Sequence, residues 1–112
     1  MGRKALTLLK GTLDLLILKT VSLKPQHGYE IAKWVRGRTD DALQIENGAL
    51  YQALFRLEAK GWLRAEWRRS QTGREVRFYE LTATGRRRLE EETRTWKSYV
   101  KAMHSVLSAA EG

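Results

Sequence analysis

Hydrophobic residues near the start of the chain recur with the period of an α-helix. Between residues 8 and 23 they fall three and four positions apart, which predicts a first helix that is covered over most of its circumference. Pro25 and Gly28 end that helix and open a short turn. Residues 29–35 carry a broad apolar face and predict a second helix, which Gly37 ends.

A third amphipathic segment follows the polar connection at residues 38–44. It is predicted to begin at Glu46 or Asn47, of which Asn47 is the better N-cap by side-chain chemistry, and to run to Lys60 before Gly61 stops it. Its apolar stripe consists of Leu50, Ala53, Leu54 and Leu57. Its opposite side consists of Gly48, Gln52, Phe55, Arg56 and Ala59, with Tyr51 on the flank.

The pattern then changes to the period of a β-strand. Residues 62–69 alternate between apolar and charged side chains, so that Trp67 is expected on the same side as the inward-facing positions. Residues 70–73 form a turn cluster, and residues 75–81 are rich in Val, Phe and Tyr. Two such strands around a short loop that contains Gly predict a β-hairpin.

A heptad pattern predicts the last helix, which Thr82 or Thr84 caps and which runs to about Ala110. Apolar positions alternate spacings of four and three over three repeats, as in the seam of a coiled coil. A single domain of this size rarely uses so long a seam for its own core, so we expect a partner helix. The seam consists of Leu89, Thr93, Trp96, Val100, Met103, Leu107 and Ala110.

Length and composition narrow the class of protein. The chain has 112 residues, enough for one domain, and its hydrophobic content of 42% excludes global disorder. It has no Cys, which excludes disulfides and Cys-ligated zinc and agrees with a cytoplasmic location. The longest apolar run, residues 15–18, is far shorter than the about 20 residues of a membrane span, and no signal-peptide pattern is present.

The charge balance predicts a polyanionic partner. Lys and Arg number 21 against 13 Asp and Glu, a net charge of +8, which favours nucleic acid first and an anionic membrane surface second. The most basic stretch is the hairpin, where residues 64–77 contain five Arg and two Glu. The basic residues do not lie opposite an exposed apolar stripe, as an interfacial helix requires, so a membrane partner is not expected.

Catalytic and metal-binding chemistry is not expected from this sequence. His27 and His104 are the two histidines, they lie far apart, and there is no Cys to complete a ligand set. We find no Ser-His-Asp order, phosphate-binding loop or GxGxxG motif. The sequence therefore indicates neither an enzyme nor a cofactor or metal site.

Three motifs, taken together and in order, resemble one protein family. They are GYEIA at residues 28–32, GALYQALFRLEAKG at residues 48–61 and YELTATG at residues 79–85. In this register they resemble the PadR family of winged-helix transcription factors, over roughly residues 8–89. The middle motif carries most of the resemblance, because Leu-Thr-x-x-Gly is shared with other winged-helix regulators.

The resemblance implies a mainly α (α+β) fold in one compact unit. Residues 1–81 would form a winged helix-turn-helix domain with a two-stranded wing, and residues 82–112 a long C-terminal dimerisation helix, as in the short members of the family. It implies a cytoplasmic homodimer that binds double-stranded DNA, usually as a repressor. Two positions depart from the family pattern. Ala49 lacks the hydroxyl that often contacts phosphate, and Glu46, a carboxylate near phosphates, is expected to turn away.

The expected DNA contacts combine the outer face of the third helix with the hairpin. Gln52 can pair with adenine and Arg56 with guanine, whereas Tyr51 can reach a phosphate or simply pack. Phe55 can contact a thymine methyl group, the hairpin or a partner subunit. The basic candidates for phosphate contact are Arg68, Arg69, Arg74 and Arg77, with Lys33 and Arg36 as weaker ones; the alternative for all of them is a solvated surface charge.

The seam of the last helix predicts a dimer interface, and the resemblance implies that the first helix joins it. It consists of Leu89, Thr93, Trp96, Val100, Met103, Leu107, Leu9 and Leu13. A Trp96 that faces its symmetry mate would leave a flat apolar slot, in which Trp96, Val100 and Met103 would hold a small planar hydrophobic or aromatic effector. The alternative function is a winged-helix protein–protein interaction module without specific DNA binding.

Overall fold

The computed structural model describes residues 6–9 and 11–110. The elements are α1 (Thr12–Leu23), β1 (Gln26–His27), α2 (Gly28–Arg38), α3 (Asn47–Ala59), β2 (Leu63–Arg69), β3 (Glu75–Leu81) and α4 (Ala83–Leu107). The strands form one antiparallel sheet in the order β1-β3-β2. We call the β2–β3 hairpin, residues 63–81, the wing. The prediction of a mainly α (α+β) winged-helix fold is confirmed.

The core lies between α1, α2, α3 and the inner face of the sheet. All four residues of the predicted α3 stripe are buried, which confirms the period that predicted this helix. Each fully buried Leu, Ile or Val side chain contributes about 1.5–3 kcal/mol relative to exposure. The other buried apolar residues are Ile17, Leu18, Val21, Ile31, Val35, Ile45, Leu63, Tyr79 and Leu89.

Backbone conformation shifts three helix boundaries from their predicted positions. The first helix begins at Thr12, not residue 8, because Gly11 takes a left-handed conformation with φ of 86°. The second helix continues through Gly37 to Arg38. The preference for Asn47 as the N-cap of α3 is wrong: Glu46 holds that position, without a side-chain cap, and Asn47 is the first helical residue.

A short strand, β1, was not predicted. Gln26 and His27 pair with Tyr79 and Phe78 of β3, which adds a third strand beside the predicted two-stranded wing. The buried side-chain amide of Gln26 donates to the carbonyl of Thr20 at 2.7 Å and holds the corner between α1 and β1. A two-residue strand has no periodicity that a sequence pattern could reveal.

The junction between the wing and α4 is a single residue, Thr82. Its hydroxyl accepts from the amide of Gly85 at 2.9 Å and donates to the carbonyl of Gly61 at 2.7 Å, so Thr82 and not Thr84 is the cap. Gly85 packs so closely that a Cβ atom there would lie 2.0 Å from the carbonyl oxygen of Trp62. The second half of α4 leaves the body of the protein, and residues 94–110 are exposed.

Candidate nucleic-acid interface

The exposed face of α3 begins with Tyr51, whose ring packs on the first residue of α2. A Cβ atom at Gly28 would lie 2.8 Å from Tyr51 Cε1, so the absence of a side chain at Gly28 makes room for this ring. Gln52 and Phe55 point outward, and Phe55 is 74% exposed. The side chains available at this face are therefore one amide, one apolar ring and one phenol that is half exposed.

Glu46 lies at the same end of α3. Its Oε1 atom would be 3.2 Å from a Cβ atom at Gly48, which is one of the exposed residues of the first turn. The carboxylate therefore lies beside the exposed face and does not turn away from it, as the sequence led us to expect. A phosphate that approaches this end of the helix would meet its negative charge.

A groove of about 1290 Å³ separates α2 from the wing, with Tyr51 between the two walls. Lys33 and Arg38 line the wall formed by α2, and Arg74 lines the wall formed by the wing. The carboxylates of Glu30 and Glu75 also line the groove, but cations outnumber them. An excess of cations in a cleft raises the local concentration of polyanions and favours a phosphate backbone as occupant. Exposed rings also line the groove, and these are Tyr29, Trp34 and Trp67.

The predicted phosphate contacts of the wing fall into two groups. Arg69 and Arg74 are exposed and form no ion pair with any residue that the structure describes. Arg68 pairs with Glu66, and its guanidinium lies 5.2 Å from the ring centre of Phe78. Arg77 donates to Glu58 of α3 at 2.9 Å. The charges that are available to an external anion are therefore fewer than the sequence count suggests.

Arg56 also has a partner within the chain. It pairs with Asp14 in the first turn of α1, where the sequence suggested a side chain that faces outward to a base. A guanine contact from Arg56 would require this ion pair to open. On α2, Lys33 is exposed and lines the groove, whereas Arg36 donates to Asp41 at 3.2 Å and does not line it.

Tyr79 lies at the inner edge of the groove. Burial raises the pKa of its phenol above the ordinary value; the positive charge of Arg77 acts in the opposite direction, and Glu58 and Tyr51 reinforce the rise. The phenol is therefore neutral at physiological pH and acts as a packing residue with a polar tip.

The predicted dimer seam divides at Thr93. Leu89 is buried in the core of its own protomer, and Thr93 is half-buried and donates to the carbonyl of Leu89 at 2.7 Å. From Trp96 onward the seam is exposed, and Val100, Met103 and Leu107 continue it. The sequence pattern did not include two further exposed apolar residues of α4, Tyr99 and Val106.

The α1 part of the predicted interface also divides. Leu9 is 60% exposed, whereas Leu13 packs against the core of its own protomer. The predicted effector residues lie close together on α4, where a shallow cavity of about 340 Å³ is lined by Trp96, Val100 and their basic neighbours. Met103 lies one turn beyond Val100 on the same face, and the rings of Trp96 and Tyr99 stack with centres 6.2 Å apart.

The described residues form neither a metal-binding cluster nor a membrane-spanning helix. Within residues 6–9 and 11–110, no group of three or more His, Asp or Glu side chains is placed to hold a metal ion. No helix in that part of the chain is both long enough and apolar enough to cross a membrane.

The three-helix core, the wing and the exposed third helix define the class of protein, a winged-helix transcription regulator. Residues 17–91 match the family described as the Transcriptional regulator PadR-like family. The chain belongs to this PadR-like family, as the three sequence motifs indicated. A family of transcriptional regulators gives no support to a catalytic role.

Solved structures agree with this assignment. A PadR family transcription regulator from hypervirulent Clostridium difficile R20291 is 33% identical, with a TM-score of 0.77 over 88% of this chain and 100% of that one. A transcriptional regulator from Clostridium thermocellum is 27% identical, with a TM-score of 0.79 over 86% of this chain and 90% of that one. An uncharacterized protein of Lysinibacillus sphaericus is 32% identical over 80% of this chain and 82% of its own length.

Proposed function

We propose that this protein is a homodimeric repressor of transcription that binds a specific sequence of double-stranded DNA. The observation that carries the proposal is that the outward face of α3 and a groove with cations on both walls meet at Tyr51. A helix enters the major groove to read bases, while flanking cations bind the phosphates. Membership of a family of transcriptional regulators supports the same assignment.

In this arrangement each group has a distinct role. Gln52 and Phe55 contact base edges, because they are the exposed polar and apolar side chains at the centre of the α3 face. Arg69 and Arg74 bind phosphates from the wing, since no carboxylate of the described chain occupies them. Lys33 binds the same backbone strand from α2. These contacts give affinity, and the base contacts give specificity.

The exposed seam of α4 supports the dimer. Four apolar residues of one helix face, Trp96, Val100, Met103 and Leu107, are exposed in the protomer and have the spacing that a partner helix requires. A two-fold dimer presents two α3 helices, which would read half-sites about 34–36 Å apart. The operator is then a pseudo-palindrome.

A salt titration tests specific DNA binding. We expect fluorescence anisotropy with the upstream duplex of its own gene to show tight binding that weakens steeply with salt, because phosphate contacts release counterions. Arg74→Gln should weaken binding to the operator and to a scrambled duplex equally and reduce the log–log salt slope by about 1.8, because each of the two subunits loses a contact that contributes about 0.9. Binding that is insensitive to salt, or equal for both duplexes with the wild-type protein, would count against the proposal.

A second substitution separates the recognition of bases from the overall affinity for DNA. Gln52→Ala should remove about 1–3 kcal/mol of discrimination at one base pair of each half-site and leave the salt slope unchanged, because a base contact releases no counterion. The control is Arg74→Gln, in which discrimination between base pairs should stay constant while the log–log salt slope falls. If Gln52→Ala weakens operator and scrambled duplexes equally, α3 does not read bases through this residue.

We also propose that a small aromatic effector binds at the dimer interface around Trp96, Val100 and Met103. Residues 93–110 contain no Asp or Glu and three Lys or Arg, which favours an uncharged or anionic compound over a cationic one. Such a ligand regulates only if it binds the DNA-competent and DNA-incompetent dimers with unequal affinity. Aromatic carboxylates and matched aromatic amines should therefore differ in their quenching of Trp fluorescence, and Trp96→Ala should abolish the difference. Equal quenching in wild type and variant would exclude this site.

A further inference from the structure

Arg77 occupies a different environment from the other arginines of the wing. It lies on the inner face of β3, and its Nη2 atom donates to Oε2 of Glu58 in α3 at 2.9 Å. The side chains are 38% and 29% exposed, so both partners are partly withdrawn from solvent. This ion pair joins the wing directly to the helix that we propose reads DNA.

Two aromatic rings flank the same guanidinium. Its central carbon lies 5.9 Å from the ring centre of Trp67 and 6.0 Å from that of Tyr79. Trp67 is the direct partner of Arg77 in the strand register, which places both on one face of the sheet. Arg77 lines the groove and its side chain is 38% exposed, but its Nε atom is buried and has no hydrogen-bond partner among the described residues.

The outer half of the wing has few other attachments to the body. β1 ends at His27, which pairs with Phe78, and Gln26 pairs with Tyr79. Toward the turn from these pairs, the described residues of the wing and α3 are joined by the hydrogen bond that Arg77 donates to Glu58. The angle at which the tip leaves the body therefore depends on this bridge.

We propose that Arg77 is a positioning residue and not a phosphate ligand. Its bridge to Glu58 sets the wing relative to α3, so that Arg69 and Arg74 meet phosphates while α3 occupies the major groove. A phosphate contact from Arg77 would first break a charge-assisted hydrogen bond inside a partly desolvated site. This inference rests on the proposed DNA binding. It gives one of the five wing arginines a structural role in place of phosphate binding.

Removal of the Glu58 carboxylate should change DNA affinity in opposite directions for the two possible roles of Arg77, phosphate ligand and positioning residue. If Arg77 binds phosphate, Glu58→Gln frees its charge and tightens DNA binding. If Arg77 is a positioning residue, the same substitution weakens operator binding by about three- to tenfold, and Arg77→Met added to it causes little further loss, because the two changes remove one coupled interaction. Arg74→Gln is the control, and its effect should add independently to that of Glu58→Gln.

A charge swap provides the rescue. Arg77→Glu alone should weaken operator binding, and the double variant Glu58→Arg with Arg77→Glu should recover most of the loss, because the bridge is restored with the same net charge. A phosphate ligand at Arg77 predicts no recovery. Tighter binding by Glu58→Gln, or failure of the swap to recover affinity, overturns the inference.

Hydrogen exchange on the DNA-free protein separates this inference from the proposed function. We expect faster amide exchange in the outer parts of β2 and β3 for Glu58→Gln and for Arg77→Met, and wild-type exchange for Arg74→Gln. Unchanged exchange in both bridge variants overturns the inference whatever the DNA result. If the wild-type protein binds no duplex but the amides of the bridge variants exchange faster, the proposed function is wrong, whereas the positioning of the wing by the Arg77–Glu58 ion pair is supported.

Discussion

A charge placed in the exposed seam of α4 should dissociate the proposed dimer. Met103 is 43% exposed in the protomer and lies between Val100 and Leu107 on the same helix face. Full burial of such a side chain contributes about 1.5–3 kcal/mol. The exposed fraction therefore contributes about 0.6–1.3 kcal/mol per copy, or about 1.3–2.6 kcal/mol in a two-fold dimer in which each substitution acts twice.

Met103→Glu removes this contribution and adds a carboxylate that must lose water. The lost burial alone raises the dimer Kd roughly 10- to 70-fold, and desolvation of two carboxylates increases the effect. Sedimentation equilibrium over a range of protein concentrations measures the change directly. The protomer itself should keep its fold and its circular dichroism spectrum, because the substituted position is largely at the surface.

Ser98→Glu is the matched control. It introduces the same charge on the same helix, but Ser98 is exposed and lies on the side of α4 away from the seam. The reasoning is refuted if Met103→Glu and Ser98→Glu have the same dimer Kd as the wild type. A wild-type protein that sediments as a monomer at micromolar concentration would refute the dimer itself.

Three further substitutions test the packing described above. Gly28→Ala should displace the ring of Tyr51 and weaken DNA binding, whereas Gly37→Ala, in the same helix with open space around it, should leave binding unchanged in the anisotropy assay. Gly85→Ala brings a Cβ into a backbone carbonyl and should destabilise the fold by about 1–3 kcal/mol or more in urea unfolding; an unchanged midpoint would contradict the packing. Because the pKa of the Tyr79 phenol is raised by burial, the unfolded chain ionises first as pH rises through about 10, and stability falls there. Tyr79→Phe should lose less stability than the wild type between neutral and alkaline pH, and an equal loss would exclude this phenol as the cause.

Periodicity was sufficient to predict the four helices and the hairpin, because the core of this protein follows it closely, whereas the winged-helix fold followed from the family resemblance and β1 was missed. The apolar stripe of α3 and the strand at residues 75–81 appear in the structure as the sequence predicted. The errors lie where a local conformation overrides the pattern. The left-handed conformation of Gly11 delays the start of α1 to Thr12, and Glu46 occupies the N-cap position of α3, for which Asn47 has the better side chain.

The site was less predictable, because the availability of a charge depends on contacts that are distant in sequence. Arg56 and Asp14 are 42 positions apart, and Arg77 and Glu58 are 19 apart. No spacing rule for a single helix or hairpin joins such residues. The α2 wall of the groove was partly missed for the same reason, since Arg38 faces the wing only after the chain has folded.

The single-residue junction at Thr82 connects the C-terminal helix rigidly to the wing. With no flexible linker between β3 and α4, and with Gly85 pressed against the backbone of Trp62, a helix of 25 residues is fixed to the wing at one end. At about 1.5 Å per residue its far end lies roughly 37 Å away, so a small sideways shift there becomes a tilt of the winged-helix unit to which it is attached. In a dimer formed through α4, a change in the crossing angle of the two α4 helices would change the separation of the two α3 helices.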